Sequence, residues 1–399
     1  MKILQVHNEY QTPGGEEAVL EAERTILEQD GHQVKQWIAR SADIKTASSA
    51  EKLRFSLNSV WSKQSYRQAK TILQDFSPDI VHVHNTVPLI TPSVYAACQS
   101  EKIPVVQTLH NFKFVCPGSN LYRDGQVCEQ CIGKSFTYPA LLNGCYRRDY
   151  LSTAFLVSGL TFNRIRKTYS KEINTYVALT EFARQKFIEA GVEAEKIFVK
   201  PNFVTSDITP GNHDGNYALF VGRLITQKGI ETMVKAWSLL EVKIPLKIAG
   251  SGYLSDYITA NLPENVSYLG QLPRQEIINL MRNATLLVFP SEWYEGFPMT
   301  IVEAFATKLP VVASRLGGMA EIVQPGYSGW HFNPADAYSL ASVVQDAWQN
   351  SAELKRRGEL ARQQFESMYS PRSNLEKLLD IYQETIHRAR NLETSESVA

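Results

Sequence analysis

The chain reads as an α/β protein with two parallel sheets, each covered on both faces. Three observations carry this reading. Short apolar runs alternate with helical patterns along the whole sequence. Most of these runs are apolar throughout, as in strands buried on both sides of a helix-covered parallel sheet. The length, 399 residues, provides for two domains of ordinary size, each with its own core.

In the first half the strand candidates are Ile3–Val6, Ile80–Val83, Val105–Thr108, Tyr176–Leu179 and Ile197–Lys200. In the second half they are Ala218–Val221, Leu246–Ala249, Ser267–Leu269, Leu286–Phe289 and Val311–Ser314. Helices are expected between them, among others over Glu16–Gln29, Gly229–Leu240, Gln275–Asn283 and Pro298–Thr307. The polar stretch TSDITPGNHDGN, residues 205–216, reads as a linker. It separates a first domain, 1–204, from a second, 217–370. The remainder, 371–399, holds a last helix near Ser373–Arg390 and a polar tail, Asn391–Ala399, expected to fray.

Composition narrows the function. Lys+Arg and Asp+Glu number 41 each, so the chain has no bulk charge for nucleic acid. No apolar run reaches the roughly 18 residues of a membrane span. The opening MKILQVHNEY lacks a long apolar core and reads as a first strand rather than a signal peptide, which predicts a cytoplasmic protein.

The densest chemistry lies in EGFPMTIVEAFATKLPVVASRLGGMAEIV, residues 295–323. Pro298 suits the first position of a helix, where its missing N–H costs nothing. The free N–H groups of that turn and the positive end of the helix attract phosphate or hydroxyl oxygens. Gly296 allows close backbone approach. Glu295 stands just outside the helix and Glu303 inside it, so the two carboxylates can reach neighbouring parts of one polyhydroxylated ligand. Phe297 and Met299 flank the turn, and Glu321 follows the pair Gly317–Gly318. Spacing alone would equally describe a solvated amphipathic helix.

This block resembles the donor-binding signature of the family-4 retaining glycosyltransferases (glycosyl transferases group 1). Two more blocks agree in order: FVGRLITQKGIETMVKA, with Gly222, Arg223, Lys228 and Gly229, and LKIAGSGY, with Gly250 and Gly252. The resemblance implies the GT-B fold, two Rossmann-like domains facing across a cleft, with ligands outside the carboxyl ends of the strands. It implies transfer of a hexose from a nucleotide diphosphate sugar, UDP or GDP, with retention at the anomeric carbon. Arg223 and Lys228 would neutralise the departing diphosphate. Glu295 would bind sugar hydroxyls and Glu303 the ribose. The sequence contains no D-x-D pair, in keeping with a transferase that needs no catalytic metal. The acceptor is expected to be a saccharide or lipid-linked saccharide of cell-surface polysaccharide or glycolipid synthesis. A non-catalytic nucleotide-sugar-binding scaffold and a sugar-nucleotide epimerase are the competing readings on this architecture.

By the same resemblance the first domain carries the acceptor side. Gly14–Gly15, after the first strand, matches a loop that approaches the donor phosphates; by itself it is also an ordinary turn. His110, ending a strand, matches a histidine near the reacting carbon. His82 and His84 alternate on one strand and share a face. His84, with Asn85, sits at the end that could line a pocket, whereas His82 reads as structural.

Of five cysteines, Cys98 reads as a small buried residue. Cys116, Cys128, Cys131 and Cys145 form C-x11-C-x2-C-x13-C in a turn-rich insert, 116–145. In a reducing compartment this suggests a structural zinc, with free thiols or a redox pair as alternatives. The following segment, Cys145–Lys171, has an apolar, aromatic middle and basic ends. It suits contact with an anionic membrane surface, or a domain helix with a solvated basic face.

Overall fold

A computed structural model describes residues 1–9, 14–40, 60–205 and 208–398, without side chains beyond Asn391. Four residues of the first loop, Tyr10–Pro13, two of the expected linker, Ser206 and Asp207, and the side chains of the tail from Leu392 on therefore lie outside the described residues. The chain forms two compact units. The first comprises Met1–Asn120, Glu129–Lys200 and Leu375–Ala399; the second comprises Leu121–Cys128 and Pro201–Asn374.

The first unit is built on β1 (Lys2–Glu9), β2 (Gln33–Arg40), β3 (Ile80–Asn85), β4 (Val105–Leu109), β5 (Thr175–Ala178) and β6 (Ile197–Val199). These form one parallel sheet in the order β2-β1-β3-β4-β5-β6. The helix Pro371–Val398 covers one face. Its Leu378, Ile381 and Tyr382 join Ile3, Leu27, Ile80, Val106 and Val177 in one core. Two polar contacts fix its rotation: Tyr382 Oη lies 2.7 Å from His82 Nδ1, and Thr385 Oγ1 lies 2.8 Å from Thr175 Oγ1.

The second unit is built on β7 (Ala218–Val221), β8 (Leu246–Ala249), β9 (Val266–Tyr268), β10 (Leu286–Phe289), β11 (Val311–Ser314) and β12 (Gly329–Phe332). The order is β9-β8-β7-β10-β11-β12, again all parallel. Its strands explain their own composition. Leu219, Leu287, Phe289, Val311 and Ala313 face a core under the helix Met299–Ala306. Their neighbours Ala218, Phe220, Leu286, Val288 and Val312 face a second core under the helices Ile230–Leu239 and Ala337–Gln349. With a period of two and apolar cover on both sides, every position must be apolar.

Four details differ from the sequence reading. The edge strands β2 and β12 were not expected. β2 alternates between exposed and half-buried positions over most of its length, so it lacks the continuous apolar run of a central strand. Pro298 caps the helix Met299–Ala306 instead of starting it, with φ −80° and ψ 86°. The last helix runs through Val398, past the residue where fraying was expected. Much of the linker segment packs onto the second unit: Ile208 is buried in its core, and the His213 ring lies 2.7 Å from the Ala284 carbonyl oxygen and 2.9 Å from that of Thr307.

Candidate functional site

In the second unit the loops after β7, β8 and β10 gather the charged groups. Lys228 Nζ donates to Glu295 Oε1 at 2.7 Å. Ser291 Oγ and Trp293 Nε1 donate to the same oxygen, the indole at 2.8 Å. Burial alone would raise the Glu295 carboxyl, but Lys228 and these two donors hold it below the ordinary carboxylate range. Arg223 is exposed, its guanidinium 5.9 Å from the Trp293 ring centroid. The cluster therefore pairs an ionised, fixed carboxylate with a lysine and an arginine on one indole.

Two glycine-bearing loops close against each other beneath it. Gly250 has φ +145°, and a Cβ there would stand 1.8 Å from the Gly222 carbonyl oxygen. A Cβ on Gly252 would stand 2.2 Å from the Leu224 oxygen. At both glycines the neighbouring loop's backbone occupies the space a side chain would need. Leu224 N donates to the Ser251 oxygen at 2.9 Å, which joins the two loops next to Arg223.

Glu303 lies on the helix Met299–Ala306, 3.4 Å from Arg274. Burial raises its carboxyl above the ordinary value, and Arg274 offsets part of that rise. Phe297 and Met299 pack against the core, and the Phe297 ring stands 6.0 Å from that of Tyr369. Gly296 beside them is half-buried and Pro298 is buried. Glu321 is exposed on the short helix Gly317–Ile322.

In the first unit the expected residues converge as well. His84 is the last residue but one of β3, His110 follows β4, and His84 Nδ1 lies 2.9 Å from His110 Nε2. Both line a cavity together with Asn85, Lys113 and Phe155. His82 lies outside that lining; its two nitrogens contact Tyr382 and Thr108 at 2.7 Å each, a structural role. Gly14 caps the helix Gly15–Gln29, and its N–H donates to Glu17 Oε2 at 2.7 Å. Asn111 Nδ2 donates to Glu16 Oε1 at 3.0 Å, which ties this glycine turn to the loop after β4.

Sequence reasoning missed Glu23 and Lys200. Lys200 Nζ donates to Glu23 Oε1 at 2.8 Å with both side chains sealed from solvent, and Glu23 Oε2 lies 3.4 Å from His84 Nε2. The signal was present: Glu23 occupies the buried stripe Val19, Leu20, Glu23, Ile26, Leu27 of its helix. Ser291, Trp293 and Arg274 were also missed.

Among the cysteines, Cys98 is fully buried, and burial pushes its thiol up. Cys131 and Cys145 share a small apolar cluster with Ala140 and Val157. A Cβ on Gly118 would lie 3.6 Å from both Cys116 Sγ and the Cys145 carbonyl oxygen.

Comparisons with known proteins agree with this geometry. Residues 13–207 match the family described as Glycosyltransferase Family 4, and residues 205–364 match Glycosyl transferases group 1. An uncharacterized glycosyltransferase of Methanocaldococcus jannaschii is 29% identical over 187 residues, 46% of this chain and 52% of that protein. The O-antigen chain mannosyltransferase B of Escherichia coli is 29% identical over 178 residues, 41% of this chain and 46% of that protein. The chain thus spans about half the length of these curated relatives. A glycosyltransferase from Rickettsia africae superposes with a TM-score of 0.69 at 20% identity, over 96% of this chain and 98% of that one. Anabaena HepE in complex with UDP superposes with a TM-score of 0.68 at 18% identity, over 96% and 100%. With two family models covering residues 13–364 in chain order, and two parallel-sheet domains like those of solved GT-B enzymes, the chain belongs to the group 1, family 4 glycosyltransferases.

Proposed function

We propose that the chain transfers a hexose, with retention, from a UDP- or GDP-sugar to a saccharide or lipid-linked saccharide acceptor in cell-surface polysaccharide or glycolipid synthesis. The observation that carries this reading is the Lys228–Glu295 pair with its Ser291 and Trp293 supports. Glu295 binds hydroxyls of the donor sugar. Lys228, placed by Glu295, and the exposed Arg223 neutralise the diphosphate as it leaves, so charge forms where charge is already arranged. Glu303 accepts from the ribose hydroxyls, and the backbone at Gly296–Pro298 meets the phosphates. These groups serve in place of a catalytic cation. His110 orients the sugar, and His84 and Asn85 line the acceptor pocket. HepE, of the same fold, has been crystallised with UDP-glucose, which supports a nucleotide sugar as donor.

Thermal stabilisation by UDP-, GDP-, ADP- and dTDP-sugars tests this reading. One nucleotide class should raise the midpoint, by about 2.7 kcal/mol at a hundred times its dissociation constant. Glu295→Ala and Arg223→Ala should abolish the effect. A wild-type protein that none of them stabilises would sink the donor assignment.

Two further parts concern the insert. The C-x11-C-x2-C-x13-C spacing supports a structural zinc on Cys116, Cys128, Cys131 and Cys145, although the group of possible metal ligands gathered among the described residues is Glu23, His82 and His84. Elemental analysis should find about one zinc per chain, and a metal-free, folded protein would refute it. The segment from Lys134 to Lys171 rests on an anionic membrane surface, at the cytoplasmic face. Phe136, Tyr138, Leu142, Tyr150, Leu151, Phe162 and Ile165 are all exposed there. Asp149 is the one acid among seven basic residues of that stretch. Apolar groups in a cationic surround fit anionic lipid. Co-sedimentation with vesicles containing phosphatidylglycerol, absent with phosphatidylcholine alone, is the expected outcome. No helix among the described residues is long and apolar enough to cross a membrane.

A further inference from the structure

The first unit holds a second cavity, of about 790 Å³, and every residue lining it belongs to that unit. Pockets for small ligands span roughly 300–1,000 Å³. Leu109, Val115, Tyr176 and Phe187 form its buried wall. Phe136 and Ile165, 48% and 77% exposed, stand at its opening. Both belong to the exposed apolar belt described above, so the belt continues inward as an apolar interior.

The charges of the lining do not balance. It includes four bases, Lys134, Arg164, Lys167 and Lys196, and one acid, Glu193. Lys196 already takes that acid, with Nζ 3.2 Å from Glu193 Oε1. Arg164 is half-buried, yet its guanidinium meets only backbone carbonyls. These are Lys134 at 2.9 Å, Ser135 at 3.1 Å and Phe114 at 2.9 Å. Among the described residues no carboxylate pairs with it. A guanidinium has five N–H donors, so three bonds leave two for another acceptor. Holding this charge in a cavity wall costs desolvation, which a bound anion offsets. Lys167, exposed in the same lining, adds a second cation. An apolar interior under spare positive charge is complementary to a hydrocarbon chain that ends in a phosphate.

We infer that this cavity binds the lipid that carries the acceptor, with its hydrocarbon chain against Tyr176 and Phe187 and its phosphate on Arg164 and Lys167. The inference rests on the proposed lipid-linked acceptor. What favours that lipid over one of the bilayer is a shared wall. Leu109, Phe114 and Tyr169 line both this cavity and the one that holds His84 and His110. The Phe114 and Tyr169 rings meet edge to face, with centroids 5.0 Å apart. A lipid seated here lies one layer of side chains from the place proposed for the acceptor sugar. A lipid that only anchored the protein would gain nothing from that neighbour.

Calorimetric titration of the full chain, with no nucleotide sugar present, tests this. The probes are farnesyl phosphate, farnesol and inorganic phosphate. Saturable binding of farnesyl phosphate is expected, with no heat from inorganic phosphate. Farnesol should bind about 10–100-fold more weakly, the usual loss of a hydrogen bond to a charged group. Arg164→Gln should weaken farnesyl phosphate by the same factor and leave farnesol unchanged. Because Arg164 also holds three carbonyls, a second variant fills the cavity instead. Ala190→Phe, in the lining, should abolish binding of both farnesyl compounds. Leu151→Ser, in the belt but outside the lining, should keep it. Equal binding of farnesol and farnesyl phosphate overturns the inference, as does wild-type binding by either lining variant in folded form. So does displacement of farnesyl phosphate by an equal concentration of dihexanoylphosphatidylglycerol, which would make the occupant a bilayer lipid. The titrations need no turnover and no donor, so a failed donor assignment remains distinct from a failed lipid site.

Discussion

Each unit holds a Glu–Lys pair of nearly the same length, and the two are set in opposite surroundings. Glu23–Lys200 spans 2.8 Å with side chains 1% and 0% exposed; Glu295–Lys228 spans 2.7 Å with 9% and 13%. The first joins a helix to the end of an edge strand, and its remaining neighbours are histidines. The second joins two loops, and its neighbours are a hydroxyl, an indole and an exposed arginine. One contact type thus stands in two settings. One pair is sealed among histidines, and the other lies partly open in the loops beside an exposed arginine.

The largest expected effect separates the two by stability. Lys200→Met leaves Glu23 charged and unpartnered in the interior and should cost about 3–5 kcal/mol. Lys228→Met leaves Glu295 with Ser291 and Trp293 and should cost only about 1–3 kcal/mol. Urea midpoints of the two variants measure this, and equal losses would erase the distinction. Activity should rank the sites the other way. Glu295→Ala should lower the transfer rate by roughly 10²–10³-fold, the usual cost of losing one preorganised electrostatic group. Retention of more than a tenth of the rate would show that Glu295 is not at the reacting sugar.

Acid should then weigh most on the first unit, although burial also lowers His213 and His331 of the second. In the first, His82 and His84 are held well below 6.5 by burial, so the folded chain refuses protons that the unfolded chain takes up. Stability is therefore level above about pH 6.5 and falls as pH drops below it. Glu23, lowered below 4.5, adds its own loss only further down, as pH falls through its folded value. Melting midpoints from pH 8 to 5 should show the decline, and His84→Gln should flatten it; a midpoint that rises on acidification would contradict the buried neutral imidazoles. The smallest effect concerns the surface. Leu151→Ser with Ile165→Ser should leave stability within about 0.5 kcal/mol while vesicle co-sedimentation disappears. If binding persists, the exposed apolar belt is not the membrane contact.

What could be read in advance follows the same division. β7, β8, β10 and β11 were legible to the residue, because apolar cover on both faces writes itself as an unbroken run. Edge strands are not written that way, and Gln33–Arg40 passed unnoticed. Glu295 and Lys228 stood out because the blocks around them resemble a family signature. Glu23 and Lys200, 177 positions apart, each looked like an ordinary residue of its own element. Their meaning exists only as a pair, and a pair at that separation leaves no local pattern. Ser291 and Trp293 escaped for a related reason: what marks them is the oxygen they share.

The helix Pro371–Val398 has a consequence in time. Leu378, Ile381 and Tyr382 complete the core beneath β1, β3, β4 and β5, yet they leave the ribosome only after the second unit. The first sheet to be translated must wait, incomplete, while the whole second unit is made. Nascent chains halted before residue 371 should therefore engage chaperones through the uncovered face around Ile3, Ile80, Val106 and Val177, and a stop codon there should destroy the unit that was synthesised first.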